Sequence, residues 1–384
     1  MKIGILTQPL RNNYGGLIQN YALQKVLKDL GHDVSTLSVS FPVRNRYYQF
    51  LRSLFSNIFK KYFLLKNIVS VVPFVPKDSD LEVISENMKS FAKQNIKTTK
   101  PLVIKRLKKE DFLREFDGFV VGSDQVWRPR YSPNLTTFFL DFLSEESKAK
   151  RISYAASFGV DYWEYSKGQT RACKRLVQNF DAVSVREDSG VVLCKEHLEV
   201  DALHVLDPTL LLAKKDYLDL IKEKGLGKQK QYKSLMVYVL DMNDHKRKII
   251  DQVSNELGLS VTLLMPEKTL SNFSSDDIEK CKYAPVEEWI NGFSEADFVV
   301  TDSFHGTVFS IIFNKPFISL ANSGRGSNRF YSLLGKLNLR ERLIDEKGEV
   351  TNELIDEKVD YDTINEKLDK LRSKSFEYIT NSLM

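Results

Sequence analysis

The sequence predicts an α/β protein of two Rossmann-like lobes, the first carrying a helical insertion, and three observations carry that prediction. Short apolar runs alternate with amphipathic stretches in both halves of the chain, as parallel strands and their crossover helices do. The alternation lapses once, over about residues 41–115. The chain also has 384 residues, more than a single apolar core usually serves, so two domains are expected.

The elements follow in order. Residues 2–7 read as a buried strand, 8–16 as a polar loop and 17–30 as an amphipathic helix that Gly31 ends. Residues 34–37 resume as strand, giving the β-loop-α-β unit that opens a Rossmann-like sheet. Inside the lapse, Tyr47, Phe50, Leu51, Leu54, Phe55 and Ile58 recur at helical spacing. Arg46, Arg52, Lys60, Lys61 and Lys66 flank this stripe, which suits burial against the first lobe first and peripheral membrane contact second.

Runs at 119–121, 152–155, 182–185 and 204–206 would complete the first sheet. Composition shifts to Lys, Asp, Gly and Gln over 213–233, with 225–230 the best linker. Strands at 235–240, 261–264, 298–301 and 317–320 then alternate with helices at 244–257, 286–293 and 307–313. The expected division is 1–212, 213–360, and a C-terminal helix within 361–384 that packs back on the first lobe through Ile364, Leu368 and Leu371.

Bulk properties narrow the function. With 42% hydrophobic and 28% charged residues the chain is an ordinary globular protein. A net charge of +5 suits an anionic small substrate or a bilayer surface and falls short of a nucleic-acid binder. Cys173, Cys194 and Cys281 are scattered, which predicts neither a disulfide framework nor a zinc site. The first apolar run is too short for a secretory signal, and no stretch nears the roughly 20 apolar residues of a membrane span. A cytoplasmic location is expected.

Ligands of open α/β sheets bind beyond the carboxyl ends of strands. His305, in Asp302-Ser303-Phe304-His305-Gly306-Thr307, sits where a strand enters a helix, so it can act as acid or base beside N–H groups that favour an anion. Ser303, Gly306 and Thr307 are counted with it as binding residues, Gly306 because it admits close approach to the backbone. Arg186 follows the run at 182–185 and could hold a carboxylate or phosphate, or else pair with a neighbouring acid. The loop at 322–329 offers Arg325 and Arg329 among glycines and hydroxyls, with Arg329 preferred at the helix entrance. Asn13, Tyr14, Gly15 and Gly16 form the glycine-bearing loop after the first strand. That loop is not G-x-G-x-x-G, and P-loop, G-x-S-x-G and clustered metal-ligand patterns are lacking. Neither a resident cofactor nor a metal is expected.

Six segments in order resemble the polysaccharide pyruvyltransferase family. They are Asn13-Tyr14-Gly15-Gly16 with the residues that follow, Gly122-Ser123-Asp124-Gln125, Ser153 to Gly159, Val183-Ser184-Val185-Arg186-Glu187, Asp207-Pro208-Thr209 and the His305 motif. The resemblance implies a two-lobed GT-B-like arrangement and transfer of the enolpyruvyl skeleton from phosphoenolpyruvate to a sugar or lipid-linked oligosaccharide, giving a pyruvate ketal. It further implies His305 as proton donor, Arg186 as a holder of the donor's charges, and Asp124 as the group that orients or deprotonates the attacking hydroxyl. Arg186 and His305, from opposite lobes, would grip one small polyanion between them. The family often has an arginine two residues before the histidine; Ser303 stands there in this chain, so Arg329 or Arg325 would supply the charge. A glycosyltransferase using a nucleotide sugar, or a glycan-binding protein without catalysis, would use the same two lobes.

Overall fold

A computed structural model describes residues 1–10, 12–40, 77–227, 233–268 and 278–384. The stripe around Tyr47 with its flanking cations, and Lys228, Gln229 and Lys230 of the expected linker, lie outside the described residues.

The first lobe runs β1 (Lys2–Leu6), α1 (Tyr14–Asp29), β2 (Asp33–Thr36), β3 (Val39–Ser40), α2 (Asp78–Asn95) and β4 (Leu102–Val103). After two 3₁₀ turns come β5 (Gly118–Val121), β6 (Lys150–Ser153), α3 (Lys167–Val177), β7 (Ser184–Val185), α4 (Asp188–Leu193) and β8 (Leu203–His204). Next come α5 (Lys214–Glu223), β9 (Ser234–Tyr238), α6 (Asp244–Leu257), β10 (Ser260–Leu263), α7 (Val286–Glu295), β11 (Phe298–Thr301) and α8 (Phe304–Ile312). The chain closes with β12 (Phe317–Leu320), α9 (Asn328–Leu337), β13 (Leu343–Ile344), α10 (Asn352–Asp356) and α11 (Tyr361–Leu383).

Each lobe is built on a parallel sheet, ordered β2-β1-β5-β6 in the first and β10-β9-β11-β12-β13 in the second. Strands β5, β11 and β12 are buried throughout, as continuous apolar runs between two helical layers must be. In each sheet the chain reverses direction beside its first strand, between β1 and β5 and between β9 and β11. Crevices form at such points, so each lobe presents one to the other.

Three details depart from the sequence reading. Tyr14, Gly15 and Gly16, read as loop, form the first turn of α1, because packing across the lobes outweighs the poor helix propensity of two glycines. Of the runs expected to complete the first sheet, 119–121 and 152–155 do so through β5 and β6, whereas 182–185 and 204–206 give a separate ladder, β7 with β8, tied to it by the bridges Ile152↔Ala182 and Ala156↔Val185 and by hydrogen bonds of Ser153 and Ser184. The Lys- and Asp-rich stretch begins with helix α5, which buries Tyr217, Leu220 and Ile221. Its N-terminus is closed by Asp216, whose Oδ2 accepts the Ala213 N–H at 2.9 Å.

One apolar core runs through both lobes. Tyr14 of α1 stacks on Trp289 of α7, ring centroids 5.2 Å apart and 14° from parallel, and donates its hydroxyl to the Ala284 carbonyl at 2.8 Å. Helix α11 returns to the first lobe, where the Tyr378 hydroxyl donates to the Ser153 carbonyl at 2.8 Å and Ser375 Oγ accepts the Leu206 N–H at 3.0 Å. Among the described residues, no helix is long and apolar enough to cross a membrane.

Candidate functional site

The strand ends of the two lobes enclose a cleft of about 2330 Å³, lined among others by Asn12, Asn13, Asp124, Ser303, His305 and Arg329. Helix α8 places His305 in its first turn, with Ser303 as the capping residue whose Oγ accepts the Gly306 N–H at 3.4 Å. The imidazole lies on the first turn of α1 from the other lobe. A β-carbon at Gly15 would stand 2.0 Å from His305 Nδ1, so only glycine admits the ring there. Gly306 instead lets α8 pack closely on the end of β11, since a β-carbon on it would meet Thr301 Oγ1 at 2.1 Å.

Arg186 and His305 do converge from opposite lobes, but on a carboxylate rather than on open space. Arg186 Nη1 donates to Asp207 Oδ2 at 2.6 Å, and His305 Nε2 stands 3.6 Å from the same oxygen, an ion-pair distance too long for a hydrogen bond. Asp207 is buried, and its other oxygen accepts from Thr209 N and Oγ1 at 3.0 and 2.7 Å. Burial alone would raise the Asp207 carboxyl, but His305 and Arg186 beside it prevail and hold it far below the usual carboxylate range. Burial likewise opposes the charge of Arg186. Asp207, Asp124 and Glu187 more than offset that, so its guanidinium is pushed further up.

Arg329, in the first turn of α9, is in the opposite state. It is 6% exposed, and its Nη2 donates only to the backbone carbonyls of Arg325 and Gly326, at 3.0 and 3.4 Å. No ion pair of Arg329 occurs among the described residues, and burial with Arg186 close by pulls its guanidinium down to about 10. It remains charged at neutral pH, and an anion beside it would offset the burial and the Arg186 charge that lower it. Arg325, the other candidate, is already engaged: Nε and Nη2 donate to the two oxygens of Asp241 at 2.5 and 2.9 Å.

Several buried nitrogens here have no hydrogen-bond partner among the described residues: Arg186 Nε and Nη2, Arg329 Nε and His305 Nε2. An unsatisfied buried polar group costs about 1–3 kcal/mol, and more when charged, so a protein keeps such a group for a ligand or a water to complete. Asp124 borders the same place. Its backbone is held left-handed at φ 74, its Oδ1 accepts the Gln125 N–H at 2.8 Å, and that oxygen stands 3.7 Å from Arg186 Nη2.

Not every residue singled out from the sequence borders the cleft. Tyr14 is fully buried between the lobes and serves packing, a correction to its reading as a binding residue. Thr307 is also buried; its Oγ1 donates to the Ser303 carbonyl at 3.2 Å and lies 2.6 Å from Ser319 Oγ. Gly16 faces the Asn13 side chain, and Gly15 shapes the site only through its contact with His305. Asp207 and Phe304 were missed. Both stand inside motifs quoted above, but their partners are remote in sequence, and nothing short of the fold connects them.

A family model described as polysaccharide pyruvyl transferase matches residues 13–324. Among solved structures, the chain is similar to the UDP-GlcNAc 2-epimerase from Neisseria meningitidis bound to UDP-GlcNAc, with 11% identity, a TM-score of 0.51 and coverage of 100% of this chain and 99% of that chain. It is also similar to a glycosyltransferase from Rickettsia africae, with 11% identity, a TM-score of 0.46 and coverage of 100% of this chain and 94% of that one. Identity this low speaks to the fold alone, and the first of these likenesses agrees with a two-lobed GT-B-like architecture. No curated protein is matched.

Proposed function

Because the chain belongs to the polysaccharide pyruvyl transferase family, we propose that it transfers the enolpyruvyl skeleton of phosphoenolpyruvate to two hydroxyls of a sugar in a surface-polysaccharide precursor, free or lipid-linked, in the cytoplasm. The observation that carries this reading is the set of buried guanidinium and imidazole nitrogens, in and just behind one end of the cleft, that have no hydrogen-bond partner among the described residues. A small ligand bearing both a carboxylate and a phosphate supplies the acceptors they lack.

Arg329, with the free Nε and Nη2 of Arg186, takes the donor's charges. Arg329 also supplies the cation that Ser303 does not. His305 gives a proton to the methylene carbon of phosphoenolpyruvate, and positive charge develops on the neighbouring carbon that bears the phosphate ester. One sugar hydroxyl adds to that carbon and passes its proton to Asp124. A second hydroxyl then attacks the same carbon, the bond to the phosphate oxygen breaks, and inorganic phosphate leaves with the ketal ring closed. The departing phosphate oxygen takes the proton held by Asp124 and the second hydroxyl's proton goes to His305, so both groups return to their starting state.

The test is incubation of the full chain with phosphoenolpyruvate and candidate glycans, reading phosphate release together with the mass gain of one ketal on the sugar. Tight binding of uridine or guanosine diphosphate in a calorimeter, with no response to phosphoenolpyruvate, would instead place the chain with enzymes that use nucleotide sugars.

A further inference from the structure

The three groups assigned to the donor's charge come from three elements: His305 of α8 and Arg329 of α9 line the cleft, and Arg186, after β7, is buried behind that lining. One side chain touches all three. The Phe304 ring centroid lies 4.9 Å from the Arg186 guanidinium carbon and 5.2 Å from that of Arg329. The same ring stands edge-on to the His305 imidazole, centroids 5.3 Å apart at 81°, and Phe330 of α9 braces it at 5.9 Å and 86°. Phe304 is buried yet borders the cleft.

Two guanidiniums buried near one another repel, and the depressed value of Arg329 already records that repulsion after the larger effect of burial. Asp207 compensates Arg186, whereas Arg329 has no such carboxylate partner among the described residues. Two backbone carbonyls, of Arg325 and Gly326, hold one end of Arg329 without neutralising it, and an aromatic face adds attraction of the same kind through its quadrupole, more strongly where water is excluded. An aliphatic side chain of similar size would fill the volume and give no such attraction.

We propose that Phe304 is a positioning residue of the donor site, its ring shared by Arg186 and Arg329 so that two like charges stay at the spacing one small polyanion can bridge. The inference rests on the reading of the cleft as the site of an anionic donor, and it adds a residue whose electron density, beyond its bulk, sets donor affinity. A carboxylate at the same position would hold the arginines more firmly but would cancel the charge the donor needs.

The experiment is calorimetric titration of the full chain with phosphoenolpyruvate and, separately, inorganic phosphate. Phe304→Leu is expected to weaken binding by roughly tenfold to hundredfold, and Phe304→Tyr to restore most of it. Replacing Phe304 with mono-, di- and trifluorophenylalanine withdraws electron density from a ring of nearly unchanged shape, so affinity should fall stepwise along that series. A flat fluorine series, or Phe304→Leu binding as wild type does, overturns the inference while leaving the donor assignment intact. Wild type that binds neither anion overturns both.

Discussion

Two buried charge clusters flank residues 301–304, and they are finished to different degrees. In one, Asp302 accepts from the Leu240 N–H at 2.6 Å through Oδ1, and from the Asp241 N–H at 3.1 Å, Lys246 Nζ at 2.6 Å and Asn322 Nδ2 at 3.3 Å through Oδ2, so both its oxygens have protein partners. In the other, Asp207 binds Arg186 and faces His305, yet Arg186 Nε and Nη2, Arg329 Nε and His305 Nε2 remain without a hydrogen bond among the described residues. Both clusters lie at strand ends and both are buried. Charge at a strand end therefore does not mark a site; incomplete hydrogen bonding does, because a saturated cluster has nothing left to offer a ligand.

The contrast is most exposed to failure at His305. His305→Ala should lower kcat by about 10²–10⁴ with the fold intact, as loss of a general acid does. Phosphate release with phosphoenolpyruvate as donor would check it, and undiminished turnover would show that the unsatisfied cluster is not the reacting one.

The saturated cluster should respond in stability instead. Lys246→Met strands Asp302 without its cation, and breaking a buried pair from one side costs about 3–5 kcal/mol. Denaturant unfolding would measure the loss, with donor affinity little changed. Arg329→Met should show the opposite pattern. Removing a buried guanidinium that has no ion pair leaves stability equal or higher, while the donor KM rises about tenfold to hundredfold, the worth of a charge-assisted hydrogen bond. If Arg329→Met unfolds the protein as readily as Lys246→Met does, the two clusters are alike and the distinction falls.

How far each cluster was legible in the sequence follows from the range of its contacts. The β11-to-α8 turn is local, so a strand, a helix and a histidine near its N-terminus could be read from residues 298–313, although the helix begins at Phe304 rather than Thr307. The order of α/β elements was legible for the same reason, since periodicity is a property of neighbours. Asp207 lies 21 residues from Arg186 and 98 from His305, and no period or motif encodes that meeting. Tyr14 misled because a glycine-bearing segment after a first strand suggests a ligand loop, whereas its aromatic ring belongs with Trp289, far along the chain. Arg325 and Arg329 were indistinguishable by composition; the position of Asp241 separates a guanidinium held in an ion pair from one that has none among the described residues.

The acid limb of stability gives the smallest effect and tests that last separation directly. The Arg325 hydrogen bond, against opposing burial and with help from Asn322, holds the Asp241 carboxyl down at about 2 against its ordinary 3.8. The folded protein thus surrenders this proton more readily than the unfolded chain. The pair's contribution is complete above the ordinary carboxylate range and is lost as pH falls from about 4 to about 2. Both side chains are roughly half exposed, so solvent screening leaves the contribution below about 1 kcal/mol. Asp207, held far lower, stays ionised in the folded protein across that interval while it protonates in the unfolded chain, so it steepens the acid limb of wild type and variant alike and cancels from their difference. Unfolding curves for wild type and Asp241→Asn should therefore differ slightly at neutral pH and converge near pH 2. Curves that already coincide at neutral pH would mean that Arg325 is not committed to Asp241. Arg325 would then be a second cation free to meet the donor, and the cleft would owe its charge to the loop at 322–329 rather than to Arg329 alone.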